Sequence, residues 1–237
     1  MKEISKPNAY QEKPPRQLKH FTLLIVLNVT FQLISDATAS KIILLFGFGV
    51  SVTVLYFPFT YIISDVLTEV YGYSKARRVL YYTILASVLA GLIYQLAIIV
   101  PPAPFFKEQE AYKTVFAVVP RVLIGGWIAV FGGDISNNYI LARLKVLTSG
   151  KYLWFRTISS TIVGQLVNTT LFYTIALSGV LPANELMRGV AGGWIMKSIV
   201  EAAMTPFTYI IVNKLKKSEG MDYYDIDTNF NPFILDE

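Results

Sequence analysis

Residues 57–78 read FPFTYIISDVLTEVYGYSKARR, an apolar stretch that also carries acidic and basic side chains. It continues an apolar run that begins near residue 42, yet it contains Pro58, Asp65 and Glu69. The two acids are spaced i, i+4, so a helix places both carboxylates on one face. A charged group costs about 2.5–3.5 kcal/mol at the centre of a membrane helix, so this face should turn toward protein or water. The pattern indicates a solute pathway through a membrane.

A second interpretation of the same acids is structural. Both carboxylates would then lie at the cytoplasmic interface and pair with the cations that follow, Lys75, Arg77 and Arg78. Because Asp65 lies deeper in the apolar run than Glu69, the pathway interpretation is stronger for Asp65.

Composition places the chain among integral membrane proteins. Of its 237 residues, 54% are hydrophobic and 16% are charged, and the mean hydropathy is +0.48. A helix needs about 20 residues to cross the hydrocarbon. The sequence therefore predicts an all-α protein with six transmembrane helices, near residues 21–39, 43–71, 79–101, 115–142, 157–180 and 190–214. The predicted organisation is an N-terminal tail (1–20), a transmembrane domain (21–217) and a C-terminal tail (218–237).

Basic residues are distributed unevenly over this topology. Of the 21 Lys and Arg, 15 fall on one side: five in the N-terminal tail, then Lys75, Arg77, Arg78, Arg143, Lys145, Lys151, Arg156, Lys214, Lys216 and Lys217. The positive-inside rule predicts that both termini are cytoplasmic in a multi-pass protein of the inner membrane. The asymmetry accounts for the net charge of +5. The expected partner is the lipid bilayer, and no nucleic acid partner is needed.

Signatures of enzymes are missing from the sequence. The chain has no cysteine and one histidine, and it contains neither an HExxH motif nor a Walker lysine loop. Asp134 follows Gly132 and Gly133, a near miss to the glycine-x-glycine-aspartate pattern of intramembrane aspartyl proteases. The prediction is a protein that is not an enzyme, with no catalytic residue, no metal site and no cofactor.

The hexapeptide PFTYII occurs twice, at residues 58–63 and 206–211. A proline inside a helix frees the carbonyl four residues earlier, so kinks at both copies would expose the carbonyls of Val54 and Ala202. Paired broken helices indicate a transporter binding site. The alternative is an accidental repeat with ordinary packing kinks.

Polar side chains recur inside the other predicted spans. Gln165 and Asn168 share a face of the fifth span, where neutral amides suit either a polar heterocycle or a neighbouring helix. Lys197 and Glu201 are spaced i, i+4 on the sixth span and are expected to form an ion pair. On the first span, three polar residues are expected to face the bundle interior: Asn28, Gln32 and Asp36.

Three runs carry a family resemblance. They are FPFTYIISDVLTEVYGYSKARRVL (57–80), WFRTISSTIVGQLVNTTLFYTIALSG (154–179) and TPFTYIIVNKLKKSEGMDYYD (205–225). Together they resemble the queuosine precursor transporter family, also called the vitamin uptake transporter family. The resemblance implies import of 7-cyano-7-deazaguanine or 7-aminomethyl-7-deazaguanine. It also implies a six-helix fold similar to the substrate-binding subunits of energy-coupling-factor transporters.

The resemblance extends to single positions. Residues that match the family motifs are Phe57, Pro58, Tyr61, Asp65, Glu69, Gly72, Arg156, Ser160, Thr161, Gln165 and Thr169. Asn168 stands where the family more often has aspartate, so a charge-dependent role at that position would differ in this chain.

A deazaguanine suggests a division of roles among substrate-binding residues. Its N1–H and exocyclic amine can donate to a carboxylate, Asp65 or Glu69, and its O6 can accept from Gln165 or Asn168. Its flat ring can stack on an aromatic side chain, for which the candidates are Phe57, Tyr61 and Trp127.

Two rival functions stay open at this stage. One is a membrane subunit that binds a vitamin or nucleobase-like solute and needs an external ATPase module. The other is a receptor or scaffold that transports nothing. The sequence leaves open the energy source, a homo-oligomer and an energising partner.

Overall fold

The computed structural model describes residues 18–38, 41–45, 48–56, 58–116, 120–179 and 182–234. These ranges contain seven α-helices and one antiparallel β-hairpin. In chain order the elements are α1 (Phe21–Thr38), β1 (Ile42–Leu45), β2 (Phe48–Ser51), a 3-10 turn (Val52–Leu55), α2 (Pro58–Tyr71), α3 (Tyr73–Ile99), α4 (Gln109–Phe116), α5 (Pro120–Leu147), α6 (Leu153–Phe172), a π-helical turn (Tyr173–Leu177) and α7 (Ala183–Glu219). The predicted helical class is confirmed.

Within the described ranges, three helices are long and apolar enough to cross a membrane: α1, α3 and the part of α7 from Leu186 to Glu219. On α3 the polarity is inverted relative to a soluble helix. Its Leu92 and Leu96 are exposed, whereas Thr83 and Ser87 are buried. The chain is therefore a helical membrane protein. The count of six spans stays a prediction.

The predicted second span, residues 43–71, is not one helix. Its first part forms the hairpin, in which Ile42 pairs with Ser51 and Leu45 with Phe48. Branched side chains such as Ile42, Ile43 and Val50 favour strands. The helix begins only at Pro58, whose missing N–H costs nothing at the first helical position.

The two PFTYII copies consequently play different parts. Pro58 opens α2, so the predicted kink there is wrong, whereas Pro206 lies inside α7 as predicted. Both helices run toward the same end of the bundle, because the Tyr71 hydroxyl donates to Glu219 Oε1 at 2.8 Å. The start of α1 lies at this end too, where the backbone N–H of His20 donates to the same atom.

Helix α2 lies at the centre of the fold. Every residue from Thr60 to Tyr71 is buried, and α2 packs against α1, α3, α5 and α7. This position explains how a short helix with two carboxylates is shielded from lipid.

Helices α5 and α6 approach closely through two glycines. A Cβ on Gly133 would lie 2.7 Å from the Asn168 Cβ, and one on Gly164 would lie 2.8 Å from the Asn137 Cβ. Small residues allow this approach between membrane helices. Gly133 therefore has a packing role, and the contact places Asn168 beside Gly133 and Asn137 beside Gly164.

The segment Met221–Ile234, here called the C-terminal strap, folds back on the bundle. The Asp225 carboxylate accepts the backbone N–H of Tyr73 at 3.1 and 3.2 Å, which caps the start of α3. Arg77 Nη1 donates to the carbonyls of Asn229 and Asn231 at 3.0 and 2.5 Å. The predicted polar tail is thus a packed part of the fold.

Candidate functional site

Asp65 is the deepest carboxylate of α2. It is fully buried, and its Oδ1 accepts from Asn137 Nδ2 at 2.7 Å. Its Oδ2 has no hydrogen-bond partner within the described part of the chain. One carboxylate oxygen is therefore held by α5 while the other is free to accept from a ligand.

Other buried polar atoms of the helices around Asp65 also lack hydrogen-bond partners within the described residues. Gln165 interacts with the Tyr61 hydroxyl, which leaves its Oε1 unpartnered. Among the described residues, other unpartnered atoms on these helices include Asn137 Oδ1, Asn138 Nδ2, Thr161 Oγ1 and Thr169 Oγ1. Each such group costs about 1–3 kcal/mol when left unsatisfied. We call this region of α2, α5, α6 and α7 the polar interior; it offers donors and acceptors to a polar ligand.

Helix α7 adds charge to the polar interior. Lys197 Nζ donates to Asn168 Oδ1 at 3.0 Å and interacts electrostatically with Asp134. Glu201 is buried and interacts electrostatically with Asp65 and Asp134. The predicted Lys197–Glu201 ion pair is not among the salt bridges of the described residues. Asp134, Lys197 and Glu201 were not predicted as site residues, although charges inside apolar spans are a signal for function.

Glu69 lies one turn from Asp65 in a separate ion network. Its Oε1 accepts from Lys216 Nζ at 2.6 Å and Arg156 Nη2 at 2.8 Å, and lies 3.4 Å from Lys145 Nζ. Asp222 of the strap joins through Lys145 and Lys216 at 2.5 and 2.9 Å. Burial raises the pKa of Asp222, but hydrogen bonds from both lysines outweigh it, so the pKa lies below its usual value.

This network corrects the interface interpretation of the acids. The cations that neutralise Glu69 come from α5, α6 and α7, not from residues 75–78. Arg77 is used by the strap carbonyls instead.

The structure brings together four of the predicted site residues: Tyr61, Asp65, Gln165 and Asn168. Trp127 lies farther out, between α3 and α5, where its ring would be 3.2 Å from a Cβ on Gly91. It borders an apolar cavity with Tyr81, Ile84, Ile128 and Phe131.

Phe57 lies outside the described residues. Asn28 and Gln32 of α1 are buried as predicted, and Asn28 donates to Thr83 at 3.0 Å.

An apolar helical exterior around a polar interior is typical of a membrane protein that is not an inert anchor. The chain belongs to the family described as "Putative vitamin uptake transporter", whose match covers residues 51–211. A "Probable queuosine precursor transporter" of Bacillus subtilis (strain 168) is 25% identical over 180 residues, which are 76% of this chain and 79% of that relative. No solved structure matches the chain. The family resemblance found in the sequence is confirmed, and it supports a transporter role.

Proposed function

We propose that this protein imports a queuosine precursor, 7-cyano-7-deazaguanine or 7-aminomethyl-7-deazaguanine, across the inner membrane. The observation that carries the proposal is the polar interior, where buried donors and acceptors of α2, α5 and α6 lack partners among the described residues. The name of the Bacillus relative supports the choice of substrate. The proposed topology has six spans with both termini in the cytoplasm, in keeping with the shared position of His20, Tyr71 and Glu219 at one end.

The proposed contacts follow from which atoms are free. Asp65 Oδ2 accepts from N1–H and the exocyclic amine of the base. Asn138 Nδ2 and the Thr161 hydroxyl have no partner within the described ranges and can donate to O6. Gln165 orients Tyr61, whose ring offers a stacking surface. Asn168 acts through Lys197, to which it is hydrogen-bonded.

The other predicted site residues receive different proposed roles. Glu69 is held by three cations, so a substrate contact would require one of them to move. We assign to it the positioning of α2, and hence of Asp65. Trp127 borders the apolar cavity beside α3 and is a candidate for a surface that the solute passes before it reaches the polar interior.

The test is uptake of labelled base by cells that cannot synthesise it and that carry this chain as the only importer. Asp65→Asn should abolish most uptake while membrane abundance and melting temperature stay near native. Asp36→Asn is the matched control, because Asp36 is a partly buried carboxylate of α1 that already accepts from Gln32 and Ser87. Native uptake by abundant Asp65→Asn protein would refute the assignment.

Reconstitution separates transport from its rivals. The purified chain in liposomes should take up the base without added ATPase. Binding without uptake would favour a subunit that needs an energising module, and absence of binding would favour a receptor or scaffold.

A further inference from the structure

The polar interior carries more negative than positive side chains. Asp65, Asp134 and Glu201 come from three helices, and Lys197 interacts electrostatically with Asp134. Both electrostatic neighbours of Glu201 in the described chain are carboxylates, Asp65 and Asp134. Three acids and one ammonium leave two negative charges uncompensated when all groups are ionised.

The neighbouring Glu69 network does not remove this surplus. Its cations, Lys145, Arg156 and Lys216, already share two carboxylates, Glu69 and Asp222. The network therefore supplies at most one net positive charge, a turn away from Asp65. When the charges of the polar interior and of the Glu69 network are added together, one negative charge remains.

A second observation concerns the hydrogen-bonding groups that lie beside these charges. Asp65 Oδ2, Asn137 Oδ1 and Gln165 Oε1 are buried, unpartnered acceptors in the described structure, from α2, α5 and α6. These three acceptors suit a ligand that brings several N–H groups, and the negative side chains beside them suit a positive charge.

We infer that the polar interior selects the cationic member of the proposed substrate class. That ligand has a guanine-like edge and a primary amine on a short arm, as in 7-aminomethyl-7-deazaguanine. An aliphatic amine is protonated at pH 7, with a pKa of about 10, whereas the 7-cyano group is neutral. The ammonium pairs with Glu201 and Asp134, while Asp65 accepts from the edge of the base. This inference rests on the proposed function.

The experiment compares ligands on the native protein in detergent by calorimetric titration at pH 7. The ligands are the 7-aminomethyl, 7-cyano and 7-ethyl deazaguanines, of which the 7-ethyl compound is the neutral counterpart closest in shape to the 7-aminomethyl compound. A charge-assisted contact predicts that the 7-aminomethyl compound binds about tenfold to hundredfold tighter than either neutral one.

Glu201→Gln tests the carboxylate directly. It should reduce the preference for the 7-aminomethyl compound to about threefold or less while the affinity for the 7-cyano compound stays within about threefold of native. Its melting temperature should not fall, because the change removes a repulsion. Glu110→Gln, at an exposed surface pair with Lys113, should keep the full preference.

The outcomes separate the inference from the proposed function. If the neutral compounds bind as tightly as the amine, or more tightly, the function stands and the inference is overturned; the surplus charge is then held by protons. If none of the three compounds binds, the proposed function fails and the inference fails with it. Loss of the preference in Glu110→Gln would also overturn the assignment to Glu201.

Discussion

Glu69→Gln is the change that most directly tests how the fold tolerates its buried charges. Glu69, Lys145 and Arg156 are almost fully buried, so the variant leaves cations of α5 and α6 without their shared counter-ion. Removing one partner of a buried ion pair costs about 3–5 kcal/mol. Lys145 and Lys216 keep Asp222, and Arg156 keeps the Lys151 carbonyl at 3.0 Å. We therefore expect the lower limit, about 3 kcal/mol.

The assay is the melting temperature of the purified protein in detergent. For a chain of this size each kcal/mol corresponds to about 2–4 °C, so Glu69→Gln should melt about 6–12 °C below native. Glu110→Gln is the control: Glu110 pairs with Lys113 at 2.7 Å, nearly the distance of the Glu69–Lys216 pair, but its side chain is 83% exposed. It should cost less than about 1 kcal/mol. Equal melting temperatures for the two variants would refute the reasoning.

Three further predictions concern packing, topology and acid stability. Gly133→Ala should lower the melting temperature markedly, because its Cβ would lie 2.7 Å from the Asn168 Cβ, whereas Gly126→Ala, with nothing within 4 Å, should not; equal effects would contradict the packing role. A reporter inserted near Lys107 should read extracytoplasmic, and protection on the cytoplasmic side would overturn the six-span topology. Because the folded state favours ionised Asp222, native protein should melt above Asp222→Asn at pH 7, and this difference should shrink as the pH falls through the Asp222 pKa, below 3.8; a pH-independent difference would argue against the ion pairs.

Features that depend on residues close together in the sequence, such as the bounds of α1 and the buried face of a helix, could be predicted from the sequence. The bounds of α1 agree within a residue, and its Asn28 and Gln32 face inward as their spacing indicated. The inward direction of Asp65 followed from the cost of a charge in lipid. The hairpin before α2 was missed, since a continuous apolar run does not distinguish a helix from strands when its length suits a membrane span.

The sequence did not predict which side chains far apart in the chain form ion pairs and hydrogen bonds with each other. The cations nearest to Glu69 in the chain, in residues 75–78, are not its partners, and nothing local to the sequence points to Arg156 or Lys216. The sequence predicts only a C-terminal tail for the strap. The packing of the strap depends on contacts such as that of Asp225 with the start of α3, between residues 152 positions apart.

The Glu69 network also has a consequence for biosynthesis, because the acid is synthesised before its counter-ions. Its cations Arg156 and Lys216 are made 87 and 147 residues after the acid. At about 5–20 residues per second, the ribosome delivers Lys216 about 7–30 s after Glu69. Until then the carboxylate lacks its full set of counter-ions, and water at the membrane surface is what can solvate it. The central helix of the bundle is thus completed by α7, the last helix of the described residues, so a chain that stops before α7 leaves the ion network of α2 unfinished.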